Sequence, residues 1–281
     1  MPSSLGRRAA QVGGAIVVLA WAAAVCAPLL SPYDPAAFER MQLAPPGRTH
    51  WLGTDEIGRD VLSRLLFGAR SSLLVGWLAV VIAISIGTVV GLVAGWGGGV
   101  VDAVAMRSVD LLLAFPRLFL ALLVIAFWGP SAWLVTVVLG LTGWMTTARL
   151  VRAQVLALRD REFIVAARAV GMPVRRLLWR HLLPQCTGTI VVAATLMLGN
   201  TILAESALSF LGLGVQVPDA SWGGMLNEAR GVWRSAWWLA LFPGVLITCT
   251  VIAHNLLGDG LRDWLDPRMS RIESAERGNS E

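Results

Sequence analysis

Five long runs without a charged side chain determine what this sequence can fold into. The runs are residues 9–33, 71–101, 118–148, 182–204 and 235–257. A helix needs about 20 apolar residues to cross the hydrocarbon core of a membrane, and each run is at least that long. Only 15% of the residues are charged, whereas soluble domains have about a quarter. The sequence therefore predicts an all-α membrane protein.

The charged residues between these runs are distributed unevenly. Residues 149–184 contain a dense set of arginines but only two acids, Asp160 and Glu162. Arginines near the ends of spans are retained on the cytoplasmic side during insertion. Arg7 and Arg8 precede the first run, so the same rule places the N-terminus in the cytoplasm.

The number of spans follows from this asymmetry. Residues 118–148 form a run that is too long for one span and short for two, and Gly129-Pro130 divides it. Counting two spans, at about 111–128 and 132–148, places four spans before the arginine-rich loop. That loop then lies on the same side as the N-terminus. We predict six spans with both termini inside.

Local signals give further predictions near the ends of the spans. Pro116 is expected to kink the third span. Arg117 lies just inside that span, where its long side chain can snorkel toward the inner surface. In the polar connector before the second span, Asp60 and Arg64 are four residues apart and are expected to pair on a helix.

The arginine-rich loop is expected to contain two short helices. Apolar side chains recur at helical spacing in residues 160–170. Gly171 can take the left-handed conformation that ends a helix, and Pro173 suits the first turn of the next one. Such a hairpin is too polar to cross a membrane and too apolar to stay free in water. It docks either on the membrane surface or on a partner.

Part of this loop resembles a known family. Ala166-Ala167 is followed after three residues by Gly171 and later by Leu183-Pro184. This pattern resembles the EAA loop in the membrane subunits of ABC importers. Two positions depart from it, because Val165 stands where that family often has Glu and His181 where it often has an aliphatic residue. The resemblance implies that the loop docks into a groove on a cytoplasmic ATPase.

Other stretches extend the resemblance over nearly the whole chain. Residues 50–64, 209–214, 221–223 and 257–268 resemble the dipeptide, oligopeptide and nickel importer subfamily. Their order matches the second, C-type permease subunit of that subfamily. The resemblance implies the type I ABC importer permease fold, which has six transmembrane helices and a cytoplasmic EAA coupling helix.

The implied organisation assigns every part of the chain. The parts are a cytoplasmic N-terminus (1–8), a first transmembrane helix (9–31), an extracytoplasmic connector (32–71), a five-helix permease core (72–257) that includes the cytoplasmic coupling loop (149–184), and a cytoplasmic tail (258–281). Within the core, spans are expected at about 72–95, 111–128, 132–148, 182–204 and 235–257.

Two sets of residues are expected to carry the function. By resemblance, the residues that couple this chain to the ATPase are Glu162, Ala166, Ala167, Gly171, Pro173 and Arg176. The candidates for the transport pathway are three polar residues within or near spans: Asn200, Glu205 and Asn255. An ionisable residue inside a membrane marks a functional site by default. The alternative for Glu205 is an interfacial residue that is hydrogen-bonded to Ser206 or to neighbouring helices.

The composition excludes several kinds of chemistry. All 23 basic residues are Arg, so no Lys is present for a Walker A phosphate loop or a Schiff base. The sequence contains no HExxH or GxSxG motif and no surface that combines aromatic and basic residues for nucleic acid. We therefore predict no catalytic residue, metal or cofactor in this chain. A membrane-embedded enzyme and a non-transporting scaffold or sensor are the rival classes.

The leading hypothesis is a permease subunit of an ATP-driven ABC importer in a bacterial or archaeal cell membrane. It would form half of a pathway for peptides. The alternative is the same machine importing nickel or another small solute such as glutathione. The expected partners are a homologous permease subunit, two cytoplasmic ATPases that bind ATP and Mg²⁺, an extracytoplasmic solute-binding protein, and membrane lipid.

Overall fold

The structure, a computed structural model, describes residues 4–38 and 41–265. Within these residues it contains α-helices, one π-helical turn, one 3₁₀ turn and a single isolated β-bridge between Thr54 and Asp60. The α-helices, in chain order, are α1 Ser4–Val25, α2 Ala27–Leu30, α3 Val61–Gly97, α4 Gly99–Leu113, α5 Arg117–Trp128, α6 Ala132–Leu141, α7 Trp144–Leu158, α8 Glu162–Ala169, α9 Val174–Leu177, α10 Leu183–Phe210, α11 Trp222–Glu228 and α12 Trp238–Leu265. The π-helical turn is Leu178–Leu182 and the 3₁₀ turn is Ala229–Gly231.

Five helical segments in the described part of the chain are long and apolar enough to cross a membrane. They are Arg7–Val25, Val61–Gly97, Ala132–Leu158, Val174–Phe210 and Trp238–Leu265. A sixth span is counted if α4 and α5, which meet at an angle of 78°, form one broken span. The all-α membrane fold predicted from the sequence is confirmed.

The third span differs from the single kinked helix expected at 111–128. α4 ends at Leu113 and α5 begins at Arg117, with Pro116 at the N-cap position. Because proline has no N–H and its ring clashes with the preceding turn, the helix breaks completely and the two parts diverge. α5 therefore runs in a different direction from α4 and does not continue it.

The prediction that Arg117 snorkels toward the inner surface is wrong. Its Nη2 donates to the Leu139 carbonyl oxygen at 2.7 Å, and its Nε donates to Thr142 Oγ1 at 3.2 Å. Leu139 lies in the last turn of α6, where carbonyl groups lack partners within the helix. The guanidinium is thus held by polar groups at the break between α6 and α7.

The boundaries of the other spans extend beyond the uncharged runs. α3 begins at Val61 instead of residue 72, α10 continues to Phe210 instead of ending at residue 204, and α12 runs from Trp238 to Leu265 instead of ending at residue 257. Hydropathy marks only the apolar part of a helix. The helix itself extends into polar sequence until its backbone is capped. The part of the predicted tail at residues 266–281 lies outside the described residues.

α3 is the central helix of the fold and packs closely on α7. A Cβ added to Gly87 would lie 2.6 Å from the Trp144 carbonyl oxygen, and one added to Gly91 would lie 2.7 Å from the Ala148 carbonyl oxygen. Small residues let helices approach closely in lipid, where burial of apolar surface alone gives little driving force. This contact brings the C-terminal half of α3 against α7.

Candidate functional site

The predicted coupling loop forms a helical hairpin beside the C-terminal ends of α3 and α7. The first ten residues of the 149–184 loop belong to α7, which ends at Leu158. The remainder forms α8, α9 and the π-helical turn, which leads directly into α10. We call residues 159–182 the coupling segment.

One side of the coupling segment is buried against the helix bundle. Ile164, Leu177 and Leu182 have no exposed surface, and Ala167 is 8% exposed. These side chains pack in one cluster with apolar residues of α3, α7 and α10, namely Leu92, Val151, Val155 and Cys186. The cluster means that the segment is fixed to α3, α7 and α10.

The two helices of the segment are joined by the turn that the sequence predicted. Gly171 has φ +74°, a conformation that side chains with a Cβ rarely adopt. The Gly171 N–H donates to the Arg168 carbonyl at 3.0 Å, and the Met172 N–H donates to the Ala167 carbonyl at 3.1 Å. Pro173 is the N-cap residue of α9 rather than a residue of its first turn.

The opposite side of the coupling segment is an exposed apolar surface with charged residues around it. We call it the coupling face; its large apolar members are Phe163, Val165, Val170, Val174 and Trp179. Val170 is 80% exposed at the tip of the hairpin. Of the residues predicted to couple, Glu162, Ala166, Gly171, Pro173 and Arg176 are exposed, whereas Ala167 is not.

Two cationic contacts tie α3 and α7 to neighbouring helices near the coupling segment. The Arg168 guanidinium lies over the Trp96 ring, 5.1 Å from its centroid, and so links α8 to α3. The Arg152 side chain donates to both carboxylate oxygens of Asp102, with an Nη2–Oδ2 distance of 2.5 Å, and so links α7 to α4. A bidentate pair of this kind fixes the orientation of both partners.

A second polar site lies at the other end of α3. Asp55 Oδ2 accepts from Arg59 Nε and from Arg64 Nη1, each at 2.6 Å. Glu228 at the end of α11 accepts from Arg59 Nη2 and from Arg64 Nη2, each at 2.9 Å. The Asp55, Arg59 and Arg64 side chains are at most 9% exposed. We call these four residues the outer charge cluster.

The predicted pair between Asp60 and Arg64 is wrong. Asp60 is the N-cap of α3 and accepts from the Ser63 N–H at 2.8 Å, and its other oxygen lies 2.9 Å from His50 Nδ1. An N-cap residue has extended backbone torsions, so Asp60 does not lie on the helical face that Arg64 occupies. Arg64 is left to pair with Asp55 and with the sequence-distant Glu228.

α11 is packed into the bundle beside this cluster. The Trp222 indole N–H donates to the Leu65 carbonyl at 3.1 Å, and the Trp222 backbone N–H donates to Ser72 Oγ at 3.3 Å. A Cβ added to Gly223 would lie 2.3 Å from the Ser206 carbonyl oxygen. α11 therefore lies directly on α3 and α10 and closes the space between them.

Glu205 lies beneath α11 and has no exposed surface. Ser209 Oγ donates to Glu205 Oε1 at 2.7 Å, and Ser206 Oγ lies 3.3 Å from Oε2. The Ser72 hydroxyl on α3 is a third partner. The carboxyl group is thus surrounded by hydroxyl groups of its own chain, which is one of the two alternatives that the sequence left open.

The other two pathway candidates are more accessible. Asn200 is exposed on α10, and Asn255 is half-buried on α12. The Asn255 amide oxygen lies near the backbone of α10, since a Cβ added to Gly199 would be 3.5 Å from it. The structure does not bring Asn200, Glu205 and Asn255 together at one surface of this chain, because Glu205 is enclosed. Their pathway role stays a prediction.

Sequence reasoning did not find the outer charge cluster. Its members come from the connector, from α3 and from α11, and the Arg64–Glu228 pair joins residues 164 positions apart. The stretch 50–64 was singled out by resemblance and by the predicted Asp60–Arg64 pair, and nothing in it indicated Glu228 as the partner. Within the described residues, no group of three or more His, Cys, Asp or Glu is placed to hold a metal ion.

Comparison with known proteins gives a consistent result. Residues 87–271 match the family model described as binding-protein-dependent transport system inner membrane component. The chain is 42% identical over 264 residues to the dipeptide transport system permease protein DppC of Bacillus subtilis strain 168, covering 93% of this chain and 82% of that protein. It is 44% identical over 247 residues to the DppC of Alkalihalophilus pseudofirmus, covering 88% and 81%. The chain belongs to the family of binding-protein-dependent transport system inner membrane components, and it is a transport permease subunit.

Proposed function

We propose that this chain forms one half of the membrane pathway of an ATP-driven peptide importer in the cell membrane. The coupling face carries this proposal, because it is an apolar surface that is fixed to the ends of three long helices and is free on its outer side. Relatives named as dipeptide permeases support peptides as the cargo. Nickel or another small solute, such as glutathione, is the alternative cargo.

The proposed importer needs further subunits that bind ATP, complete the pathway and deliver the cargo. Without a lysine it has no Walker A loop, so ATP and Mg²⁺ bind to separate cytoplasmic ATPases. One bundle of up to six spans encloses only half of a central pathway, which requires a homologous permease subunit. An extracytoplasmic binding protein would deliver the cargo. ATPase closure would push the coupling face, and the cluster beneath it would tilt α3, α7 and α10.

Uptake into vesicles tests the proposal directly. The chain is reconstituted with its neighbouring transport subunits, and accumulation of a labelled dipeptide is measured with ATP and with a non-hydrolysable analogue. We expect ATP-dependent accumulation that an excess of unlabelled dipeptide suppresses. ATP-dependent uptake of nickel without any dipeptide uptake would identify nickel as the cargo and would still support an ATP-driven importer. Product formation from the dipeptide without accumulation would indicate a membrane-embedded enzyme instead.

The proposed orientation predicts which loops are reachable from outside the cell. In a background without the native cysteines, an impermeant thiol reagent should modify Pro46→Cys in the connector but not Arg175→Cys in the coupling segment. Both positions are exposed on the chain, so access depends on the side of the membrane. Permeabilised cells provide the control, in which both should react. Labelling of Arg175→Cys in intact cells would invert the topology.

Glu205 is expected to stabilise the helices that form the wall of the pathway and not to contact the cargo. Glu205→Gln keeps the size of the side chain and its hydrogen bonds to the serine hydroxyls, so uptake and protein level should stay near wild type. Glu205→Leu leaves three buried hydroxyl groups without an acceptor, at about 1–3 kcal/mol for each unsatisfied group, and should lower both the thermal stability and uptake. Loss of uptake in Glu205→Gln at normal protein level would contradict this and assign the charge to transport.

Asn200 remains the pathway candidate with an accessible side chain. It lies on the exposed side of α10, where a partner subunit or a passing solute can reach it, and an amide can bond to the peptide groups of a cargo. Asn255 is expected to support α10 from behind through its contact near Gly199.

A further inference from the structure

Arg70 on α3 lies between two cavities at the outer end of the bundle. The first cavity, of about 330 Å³, is lined by Trp21, Ala24, Val25, Pro28, Arg70 and Leu74. The second, of about 290 Å³, shares Arg70 and Leu74 and adds Pro35, Phe67, Ser71, Pro218, Asp219 and Ala220. Arg70 and Leu74 thus line both cavities.

The Arg70 charge is not neutralised within the described part of the chain. Its side chain is exposed, and no described carboxylate forms an ion pair with it. This contrasts with Arg59, Arg64, Arg149 and Arg152, each of which pairs with an acid. A guanidinium fits the oxygens of a phosphate in bidentate geometry. Arg70 is therefore available for an anionic group from outside the chain.

The position of the first cavity relative to the membrane indicates which ligand can reach Arg70. α1 is a candidate span that ends at Val25, and Trp21 and Val25 in its last turns line the first cavity. Trp residues favour the boundary between hydrocarbon and headgroups. Leu29 and Leu30 of α2 follow and are 87% and 55% exposed. The first cavity therefore opens beside α1 toward lipid at headgroup level, with apolar walls below the cation.

The second cavity adds the opposite charge. Asp219 is exposed at its edge, close enough to share a cavity with Arg70 but not in an ion pair with it. A ligand that carries a phosphate and an ammonium group a few atoms apart satisfies both side chains. The Ser71 hydroxyl lines the same cavity and can bond to either group.

From these observations we propose that Arg70 and Asp219 bind the headgroup of a phosphatidylethanolamine molecule. The phosphate lies on Arg70, the ammonium on Asp219, and an acyl chain follows the groove between α1 and α3 past Leu74. The assignment to the outer leaflet rests on the topology proposed above, whereas the binding itself does not.

Native mass spectrometry of the purified full-length chain tests the proposal. The chain is delipidated in detergent, and phosphatidylethanolamine or phosphatidylglycerol is then added back at matched concentrations. We expect wild type to retain one phosphatidylethanolamine molecule and to prefer it over phosphatidylglycerol. Arg70→Gln should reduce the retention roughly tenfold, as loss of one charge-assisted hydrogen-bonded contact predicts, and Asp219→Asn should abolish the preference. Arg70→Lys, which keeps the charge, should retain part of the binding.

Arg107→Gln is the matched control, because Arg107 is also exposed in the described structure and lies on a different helix, α4. It should bind lipid as wild type does. Equal retention of both lipids by wild type, or unchanged retention by Arg70→Gln, would overturn the proposal. Displacement of the lipid by a zwitterionic dipeptide would overturn it in favour of a cargo site. None of these readouts requires transport, so a failed uptake experiment and a failed lipid site are distinguishable.

Discussion

Replacing Ala166 by Trp is expected to detach the ATPase while leaving the permease subunit folded. Ala166 is exposed on α8 within the coupling face, so an indole there meets the partner and not the bundle. Overpacking a contact costs about 1–3 kcal/mol when the site cannot relax, which is roughly five- to more than 100-fold in affinity. The measurement is co-purification of the ATPase beside ATP-dependent uptake, and both should fall together.

Gly171→Val tests the same surface by a different route. A Cβ on Gly171 would meet no atom within 4 Å, so the Cβ itself adds no clash. A branched side chain at φ +74° is nevertheless strained. The turn between α8 and α9 should shift, and with it the spacing of the two halves of the coupling face. Coupling should fall while the spans remain inserted.

Two comparison variants make the result specific. Ala37→Trp adds the same side chain at an exposed position of the connector and should change neither attachment nor uptake. Ala167→Trp should instead lower the amount of folded subunit, because Ala167 is buried against α3 and α7. If Ala166→Trp retains the ATPase and transports normally, the coupling face is a membrane-surface helix and the coupling assignment is wrong.

The contrast between Ala166 and Ala167 shows what the sequence could and could not predict. The pattern of small residues located the coupling segment and its turn at Gly171, because only the local backbone conformation is needed to explain a glycine that ends a helix. It did not distinguish the two alanines. Their roles depend on which side of an eight-residue helix faces the bundle, and that is decided by Ile164 and Leu177 meeting residues of α3 and α7.

The spans also combine features that nearby residues predict with features that depend on residues far away in the sequence. Long uncharged runs predicted the membrane class, whereas Pro116 predicted only a kink where the third span breaks into α4 and α5. Hydropathy could not predict that Arg117 turns into the bundle, because its partners, Leu139 and Thr142, belong to another break 22 to 25 residues further along the chain. The early start of α3 at Val61 likewise depends on the cap and charge contacts around it, which a hydropathy profile does not register.

Removal of Arg64 is expected to destabilise the outer end of the bundle strongly. Its guanidinium joins Asp55 of the connector to Glu228 of α11 and is 3% exposed. Breaking a buried charge pair by deleting one partner costs about 3–5 kcal/mol, because the remaining charge stays buried without compensation. Arg64→Ala should therefore lower the midpoint of thermal unfolding and make residues 41–60 of the connector sensitive to protease. Arg48→Ala, at an exposed position, should do neither.

The double variant separates the loss of a coupled network from the loss of a side chain. Arg64 and Glu228 carry opposite charges, so removing both leaves Asp55 paired with Arg59, a balanced couple whose Nε–Oδ2 distance is 2.6 Å. Glu228→Ala alone should cost less than Arg64→Ala, since the Glu228 side chain is 31% exposed and water can replace part of its role. Arg64→Ala combined with Glu228→Ala should then lose less stability than the two single changes added together, by about 0.5–3 kcal/mol as contacting residues typically show. Strictly additive losses would mean that the four charges act as separate surface pairs, and that α11 is held in place by Trp222 and its neighbours alone.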